Sequence, residues 1–433
     1  MARDSSGKAK GHIQTAIDGL REHPLAQLGP GLITGVADDD PSGIATYSQA
    51  GAQFGLNMLW TMPLAYPLMA GVQLMCARIG RVTGKGLAAN IKSAFPPCVL
   101  YGLVLLLLIA NTLNISADLA GMGEAGELVT HVDRHVVTIG FVVASLGLQI
   151  FIPYHRYVFF LKWLTLSLLA YFAVVFMVRV PWTDVLHRTF VPQLRWDGDA
   201  AMVVVGIFGT TISPYLFFWQ ASEEVEDMRE HHDQRLMSNP AAAPAELDRI
   251  NFDTWSGMFY SNLTAYFIIL ATGVTLHAAG VRDIQTAAQA ASALRPLAGD
   301  FAFALFAIGI VGVGLIGVPV LAGSAAYALA EAMNWQWGLE RKAQDARGFY
   351  GVIAVSVLLA FVIQYTPINP MKALFYSAVI NGLVAVPLLV VIVLLASRRK
   401  VMGKYAVGLA TKGLGWITVG VMGAAAVAMF ALG

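Results

Sequence analysis

Two long apolar segments of this chain are each interrupted by proline and polar residues, at Gly35-Val-Ala-Asp-Asp-Asp-Pro-Ser-Gly43 and at Gly209-Thr-Thr-Ile-Ser-Pro-Tyr215. Within a bilayer a helix break frees amides and carbonyls that lipid cannot satisfy, so it persists only against protein or a wet cavity. A carboxylate in such a break costs about 2.5–3.5 kcal/mol on insertion scales. Two matched breaks, one early and one mid-chain, therefore predict a shared binding site near the membrane midplane.

The bilayer setting follows from composition. Hydrophobic residues make up 57% and charged residues 13% of the 433, against about 45–50% and 25% in soluble domains. This predicts an all-α polytopic membrane protein. A net charge of +1 offers no basic surface for nucleic acid. Cys76 and Cys98 form neither a disulfide framework nor a metal-ligand pattern, and read as small packing residues. The 42 glycines suit close helix packing in lipid. Residues 1–24 are polar, contain no apolar signal core, and read as a cytoplasmic segment.

Eleven stretches are long enough for the hydrocarbon core: 27–53, 56–80, 97–121, 135–153, 157–180, 199–222, 252–278, 300–332, 348–365, 371–396 and 414–432. The glycine stripe of the eighth (Gly309, Gly312, Gly314, Gly317, Gly323) reads as a packing face. Arg78, Arg81, Lys85 and Lys92 collect in one short loop, Arg156 and Lys162 in another, and Arg398, Arg399, Lys400, Lys404 and Lys412 in a third. All three fall on the side of the N-terminus with its Arg3, Lys8, Lys10 and Arg21, while Glu124, Glu127 and Asp133 lie opposite. The positive-inside rule then predicts a multi-pass protein of the cell's inner (plasma) membrane with a cytoplasmic N-terminus and an external C-terminus. The long cytoplasmic loop 223–250 carries Glu223-Glu-Val-Glu-Asp227 and His231-His-Asp233. It reads as a solvated helix extension followed by a flexible linker at 239–244, in preference to a chelating His231–His232 pair.

The breaks fall in spans one and six. Five spans is an odd number, so two five-span units must enter the membrane from opposite sides, as inverted repeats. The first repeat covers 25–182, the second 199–397, and an eleventh helix at 413–433 stands outside them. Asp40 precedes Pro41, whose ring blocks helix continuation, and supplies a formal charge. Ser42 and Gly43 complete the unwound stretch. The second break offers carbonyls from Gly209 to Ile212 and the hydroxyls of Thr210, Thr211 and Ser213. Oxygen ligands of this kind suit hard divalent cations. Asp before Pro is also a helix N-cap signal, but apolar residues on both sides put this one deep in the membrane. Asp38 and Asp39 are candidates for the vestibule.

Gly29-Pro-Gly-Leu-Ile33, Asp40-Pro-Ser-Gly43 and Gln49-Ala-Gly-Ala52 together resemble the first helix of the NRAMP (natural resistance-associated macrophage protein) divalent-metal transporters, with its Gly-Pro, Asp-Pro-Gly-Asn and Gln-Ala-Gly. Gly209-Thr-Thr-Ile-Ser-Pro-Tyr215 is similar to that family's Gly-Ala-Thr-Ile-Met-Pro-His, and Val318-Pro-Val-Leu-Ala-Gly-Ser324 fits its eighth helix. The resemblance covers about 25–430. It implies a LeuT-type 5+5 inverted repeat with eleven transmembrane helices, helices 1 and 6 discontinuous, working by alternating access. It makes Asp40 the aligned metal-binding aspartate, with Gly43, Thr210, Thr211, Ile212 and Ser213 around it. The family's ligand asparagine is Gly43 here and its methionine is Ser213. Loss of a thioether weakens selection for soft transition metals, and loss of two bulky side chains predicts a wider site. Such a site suits a magnesium ion that keeps part of its water shell, as in the NRAMP-related magnesium-transporter branch. The family's third-helix Asp-Leu-Ala-Glu is Asp118-Leu-Ala-Gly121 here, and its two histidines on span six align with Tyr215 and Gln220. Neither replacement titrates near neutrality, so proton coupling is expected to be weak or absent, with Asp118 a vestibule charge or hydrogen-bond partner. Asn381 on span ten could bring an amide oxygen near the site.

The expected function is transport of a divalent cation, magnesium or manganese, with the lipid bilayer as surroundings and no cofactor; the sequence leaves the oligomeric state open, a monomer being plausible. The alternatives are a proton-coupled manganese or iron symporter of NRAMP type, a cation channel, and an amino-acid symporter on the same fold. Channel filters draw on repeated equivalent loops, whereas this chain has one asymmetric pair of breaks. Asp40 would repel a substrate carboxylate. No nucleophile triad or zinc-binding His-Glu-x-x-His occurs within the spans, so an enzyme is not expected.

Overall fold

The computed structural model describes residues 30–152, 164–194 and 196–432, and all regular structure among them is helical. Residues 1–29, with Arg3, Lys8, Lys10 and Arg21, lie outside the described residues, as do Arg156 and Lys162. The first broken span is α1 (Pro30–Asp38) and α2 (Pro41–Phe54), followed by α3 (Thr61–Thr83), the short α4 (Leu87–Ala94), α5 (Pro97–Thr130), α6 (Arg134–Phe151) and α7 (Leu169–Met177). After the connecting helix α8 (Trp182–Phe190), the second broken span is α9 (Gly198–Thr211) and α10 (Pro214–Glu230). Then come α11 (Ala243–Thr272), α12 (Ala302–Met333), α13 (Arg347–Ile363), α14 (Pro370–Ser397), the single turn α15 (Arg399–Met402) and α16 (Leu409–Leu432). Each of the eleven expected spans coincides with helix where it is described.

Both breaks have the same cause. Pro41 and Pro214 each stand in the first turn of the second half-helix, where a missing N–H costs nothing, and neither could continue the preceding helix. Asp40 (φ −68°, ψ 172°) and Ser213 (φ −81°, ψ 133°) are extended at the two N-cap positions. Around the breaks, backbones cross at contact distance. A Cβ on Gly35 would lie 2.3 Å from the Gly257 carbonyl oxygen of α11, and one on Gly209 would lie 2.4 Å from the Gly382 nitrogen of α14. α1 therefore packs on α11, and α9 on α14, with no side chain between them at these points. The α12 glycines do serve as a packing face: Gly312 abuts Leu164, Gly314 abuts Met122 and Gly323 abuts the Trp219 ring.

Outward-facing Leu105, Leu106, Ile109, Val355, Val362, Val427 and Phe430 are exposed, as lipid-facing residues are. Cys76 is buried, but Cys98 is exposed at the start of α5, so only the first is a packing residue. The loop 223–250 also departs from expectation. α10 runs unbroken to Glu230, Leu236 is buried, and the amides of Leu236 and Met237 donate to the carbonyls of Arg81 and Val82 at 3.2 and 3.4 Å. This segment is docked rather than free. α11 begins at Ala243, nine residues earlier than expected, because Pro244 initiates the helix that its composition had suggested it would interrupt. His231 and His232 are exposed, and among the described residues no three His, Cys, Asp or Glu side chains converge as a metal site.

Candidate metal-transport site

Asp40 is 1% exposed and ends the first break. Its Oδ1 accepts from the Ser42 hydroxyl (2.6 Å) and the Gly43 amide (2.8 Å), so the N-cap role is real. Its Oδ2 accepts from Asn114 Nδ2 of α5 at 2.9 Å. The Tyr215 hydroxyl lies 3.1 Å from the Ala37 carbonyl and 3.3 Å from the same Oδ2, one proton facing two acceptors. Capping thus fixes the position of the carboxylate.

The second break faces it through Gly43 and Thr210. A Cβ on Gly43 would lie 3.0 Å from Thr210 Oγ1 and 3.4 Å from the Tyr47 ring. The space released by the smaller residue is taken by Thr210 and Tyr47, so the expected widening does not occur at this position. Ser213 turns its hydroxyl back onto the carbonyls of Gly209 (2.9 Å) and Thr210 (2.6 Å), keeping its oxygen lone pairs at the break. Thr211 bonds the Ile207 carbonyl of its own helix at 3.0 Å and contributes less than the sequence suggested. No backbone amide among the described residues donates to the carbonyls of Thr211 and Ile212.

Of the two roles expected for Asp118, a vestibule charge or a hydrogen-bond partner, its position beside Asp40 fits the second better. A Cβ on Gly317 of α12 would be 3.2 Å from Asp40 Cβ and 4.0 Å from Asp118 Oδ2. Both Asp118 oxygens are buried, and the carboxyl group faces the backbone amide of Ser42 beside Asp40. Asp38 and Asp39 do not line an open vestibule either. They are 0% and 1% exposed and share the Ser261 hydroxyl of α11, and each keeps one oxygen unpartnered. None of these four carboxylates is in an ion pair among the described residues. Burying a carboxylate without a partner costs several kcal/mol, a cost that either a bound cation or a proton would relieve. Asn381 is buried with both amide atoms unpartnered, on the helix that crosses α9 at Gly209.

Access differs on the two faces. A cavity of about 370 Å³ lies between α2, α9 and α14 on the face away from the basic loops, and it reaches Ala45, just beyond the break. Towards the basic face the path is shut. The Thr34 hydroxyl lies 2.5 Å from Gln220 Oε1, and the Gly31 amide donates to Asp253 Oδ2 at 2.7 Å, tying α1 to α10 and α11. Beneath these, Arg81 (2% exposed) pairs with Asp227 (3.1 Å), Asp233 (2.8 Å) and Glu246 (2.7 Å), and Arg249 pairs with buried Glu224 at 2.8 Å. Sequence reasoning had counted Arg81 among the loop charges and Glu224 among solvated ones; both are buried members of this belt.

Asn114 and Ser261 were missed as well. A signal for the first existed: Asn111, Asn114 and Asp118 recur at helical spacing on one face of an otherwise apolar span.

Residues 31–432 match the family model described as natural resistance-associated macrophage protein-like. The chain belongs to the Nramp family. Among Nramp relatives, the divalent metal cation transporter MntH of Acidiphilium cryptum is 25% identical over 402 residues, covering 89% of this chain and 85% of that protein. MntH of Aeromonas hydrophila is 24% identical over 404 residues, covering 91% and 92%. The solved Eremococcus coleocola manganese transporter superposes with a TM-score of 0.72 at 16% identity, covering 93% of this chain and 85% of that one. MhsT, solved with L-phenylalanine, gives 0.65 at 12% identity, covering 93% and 97%. The fold is therefore the LeuT type expected for an Nramp chain, and the relatives it matches are membrane metal transporters rather than enzymes.

Proposed function

We propose that the chain carries a hard divalent cation, magnesium or manganese, across the plasma membrane by alternating access, with little or no proton coupling. The observation that carries this is the setting of Asp40: a buried carboxylate at a helix break facing a second break, hydrogen-bonded to Ser42, Gly43, Asn114 and Tyr215, with no cationic side chain paired to it among the described residues. In this reading Asp40 supplies the charge, Thr210 and Ser213 supply hydroxyl oxygens, and the carbonyls of Thr211 and Ile212 complete an all-oxygen set to which the ion adds its own water. Gly43 contributes its amide to Asp40. Residues 25–182 and 199–397 act as the two inverted halves, with 413–433 appended and the basic loops cytoplasmic. Relatives named as divalent metal cation transporters and a structural relative titled a manganese transporter support the ion class. Replacement of the family's methionine by Ser213 favours its harder members.

Three buried acids beside Asp40 favour a second reading, in which Asp118, Asp38 or Asp39 carries a proton that the family assigns to histidines. Purified protein in vesicles, tested with magnesium, manganese, calcium and cadmium beside an internal pH dye, separates the two. Saturable magnesium or manganese uptake with flat internal pH supports the first. Metal-driven acidification supports the second, and no saturable uptake of any of the four ions refutes both.

A further inference from the structure

On the basic face a cavity of about 720 Å³ opens between the end of α3, α4, the 235–237 segment and the α14–α15 junction. Its lining includes Lys85, Arg235, Arg398, Arg399 and Lys400, and no acidic residue. None of the five is in an ion pair among the described residues. Topogenic charges need only lie on the correct side of the membrane. Here they converge from loops separated by some 300 residues of sequence onto one concavity.

Part of the wall is fixed in advance. Arg398 donates to the Ala94 carbonyl at 2.7 Å and lies over the Phe95 ring at 4.3 Å. Asn90 Nδ2 donates to Thr83 Oγ1 and to the carbonyls of Lys85 and Gly86 at 2.8–3.0 Å, which sets the turn that presents Lys85. A cleft lined by one sign of charge focuses potential and concentrates the opposite ion. Guanidinium and ammonium groups together match phosphate oxygens in charge and geometry, and the volume is in the range of small-ligand sites, roughly 300–1,000 Å³.

We propose that this cavity is a binding site for a phosphate-bearing anion, either a lipid headgroup at the membrane edge or a soluble polyphosphate, and that its occupancy holds the basic face closed. The link to the closed face is short, one peptide bond followed by one hydrogen bond. Arg235 precedes Leu236, whose amide donates to the carbonyl of Arg81, the centre of the ion-pair belt. An anion that bridges Arg235 to Lys85 and the α14–α15 cations binds best while these elements stay together, and by that difference it shifts the population towards the closed state.

The test uses the full chain and a triple variant, Lys85→Gln, Arg399→Gln and Lys400→Gln, whose side chains are exposed and outside the transport site. A charge-preserving control carries Lys85→Arg, Arg399→Lys and Lys400→Arg. Inorganic tripolyphosphate is titrated, free of divalent metal, into protein held in phosphatidylcholine nanodiscs. Phosphatidylglycerol and cardiolipin retention is read by native mass spectrometry. Salt-sensitive binding of one probe, weakened about tenfold or more in the triple variant and kept in the control, is expected. Tripolyphosphate binding identifies a soluble ligand, and retention of anionic lipid alone identifies a headgroup. If neither probe binds the native chain, or the triple variant binds equally well, the proposal is overturned. If binding occurs but does not reduce labelling of an Ala37→Cys variant from the basic face, the gating half is overturned.

Discussion

Asn114 and Asp40 meet across two helices, the amide of α5 donating to the carboxylate at the head of α2 over 2.9 Å. The other amide atom, Asn114 Oδ1, is buried without a partner among the described residues. A side-chain amide therefore reaches the Asp40 carboxylate even though the asparagine of the family pattern is Gly43 here; it arrives from a different helix. By rotating, Asn114 would present oxygen to an ion held by Asp40. Asn114→Leu should weaken metal affinity about tenfold with the fold intact, and Asp40→Asn should lower uptake about a hundredfold or more, the scale of leaving a buried ion without its charged partner. Initial uptake rates against ion concentration check both. Near-normal uptake by Asp40→Asn would remove the basis for the assignment.

Ser213→Met exchanges a hydroxyl for a thioether at the second break. Competition by cadmium against magnesium should rise, and manganese should gain on magnesium, because sulfur favours softer ions. An unchanged competition profile would mean that position 213 does not touch the ion.

Gly35 permits α1 to lie on α11, and a Cβ there would meet Gly257 backbone at 2.3 Å. Gly35→Ala should keep the basic face from closing. Transport should fall by about tenfold or more while a cysteine introduced at Ala37 becomes reactive from that face. A fully active Gly35→Ala protein would show that this closure is not part of the cycle.

Arg81→Gln removes the centre of the ion-pair belt and leaves Asp227, Asp233 and Glu246 without it. These carboxylates are 24–47% exposed, so the loss should be about 1–3 kcal/mol, below that of a fully buried pair. Thermal unfolding in detergent should move to lower temperature, and the basic-face-open state should gain population. Unchanged melting would make the belt a surface ornament.

Internal pH should stay flat during uptake, and Asp118→Asn should leave it flat. Acidification that is present in the native chain and lost in Asp118→Asn would make Asp118 the proton carrier.

Much of this was legible in the residues. Proline next to small polar or acidic residues in the middle of an apolar run marks both breaks here, so the two discontinuous helices, and Asp40 at the first break, could be read directly. What stayed hidden depended on contacts between distant segments. Asp118 reads as an isolated charge until Gly317 is seen to let α12 close over it and Asp40 together. Gly43 reads as lost bulk until Thr210 and Tyr47 are seen in that space. Glu224 and Arg81 look solvated because a polar run beside the membrane gives no sign of how tightly its loop is docked.

The donors gathered on Asp40 have a consequence for exchange. The carboxylate accepts from Ser42, Gly43 and Asn114 and shares the hydroxyl of Tyr215. Hydrogen bonds to a charged group contribute about 1.5–3 kcal/mol each. On the proposed function, a cation binding at Asp40 would gain only the margin by which it beats the bonds it displaces, and the same groups would re-form as it departs. Loading and unloading are then nearly level trades, which is what a carrier needs if it is to let go on the far side.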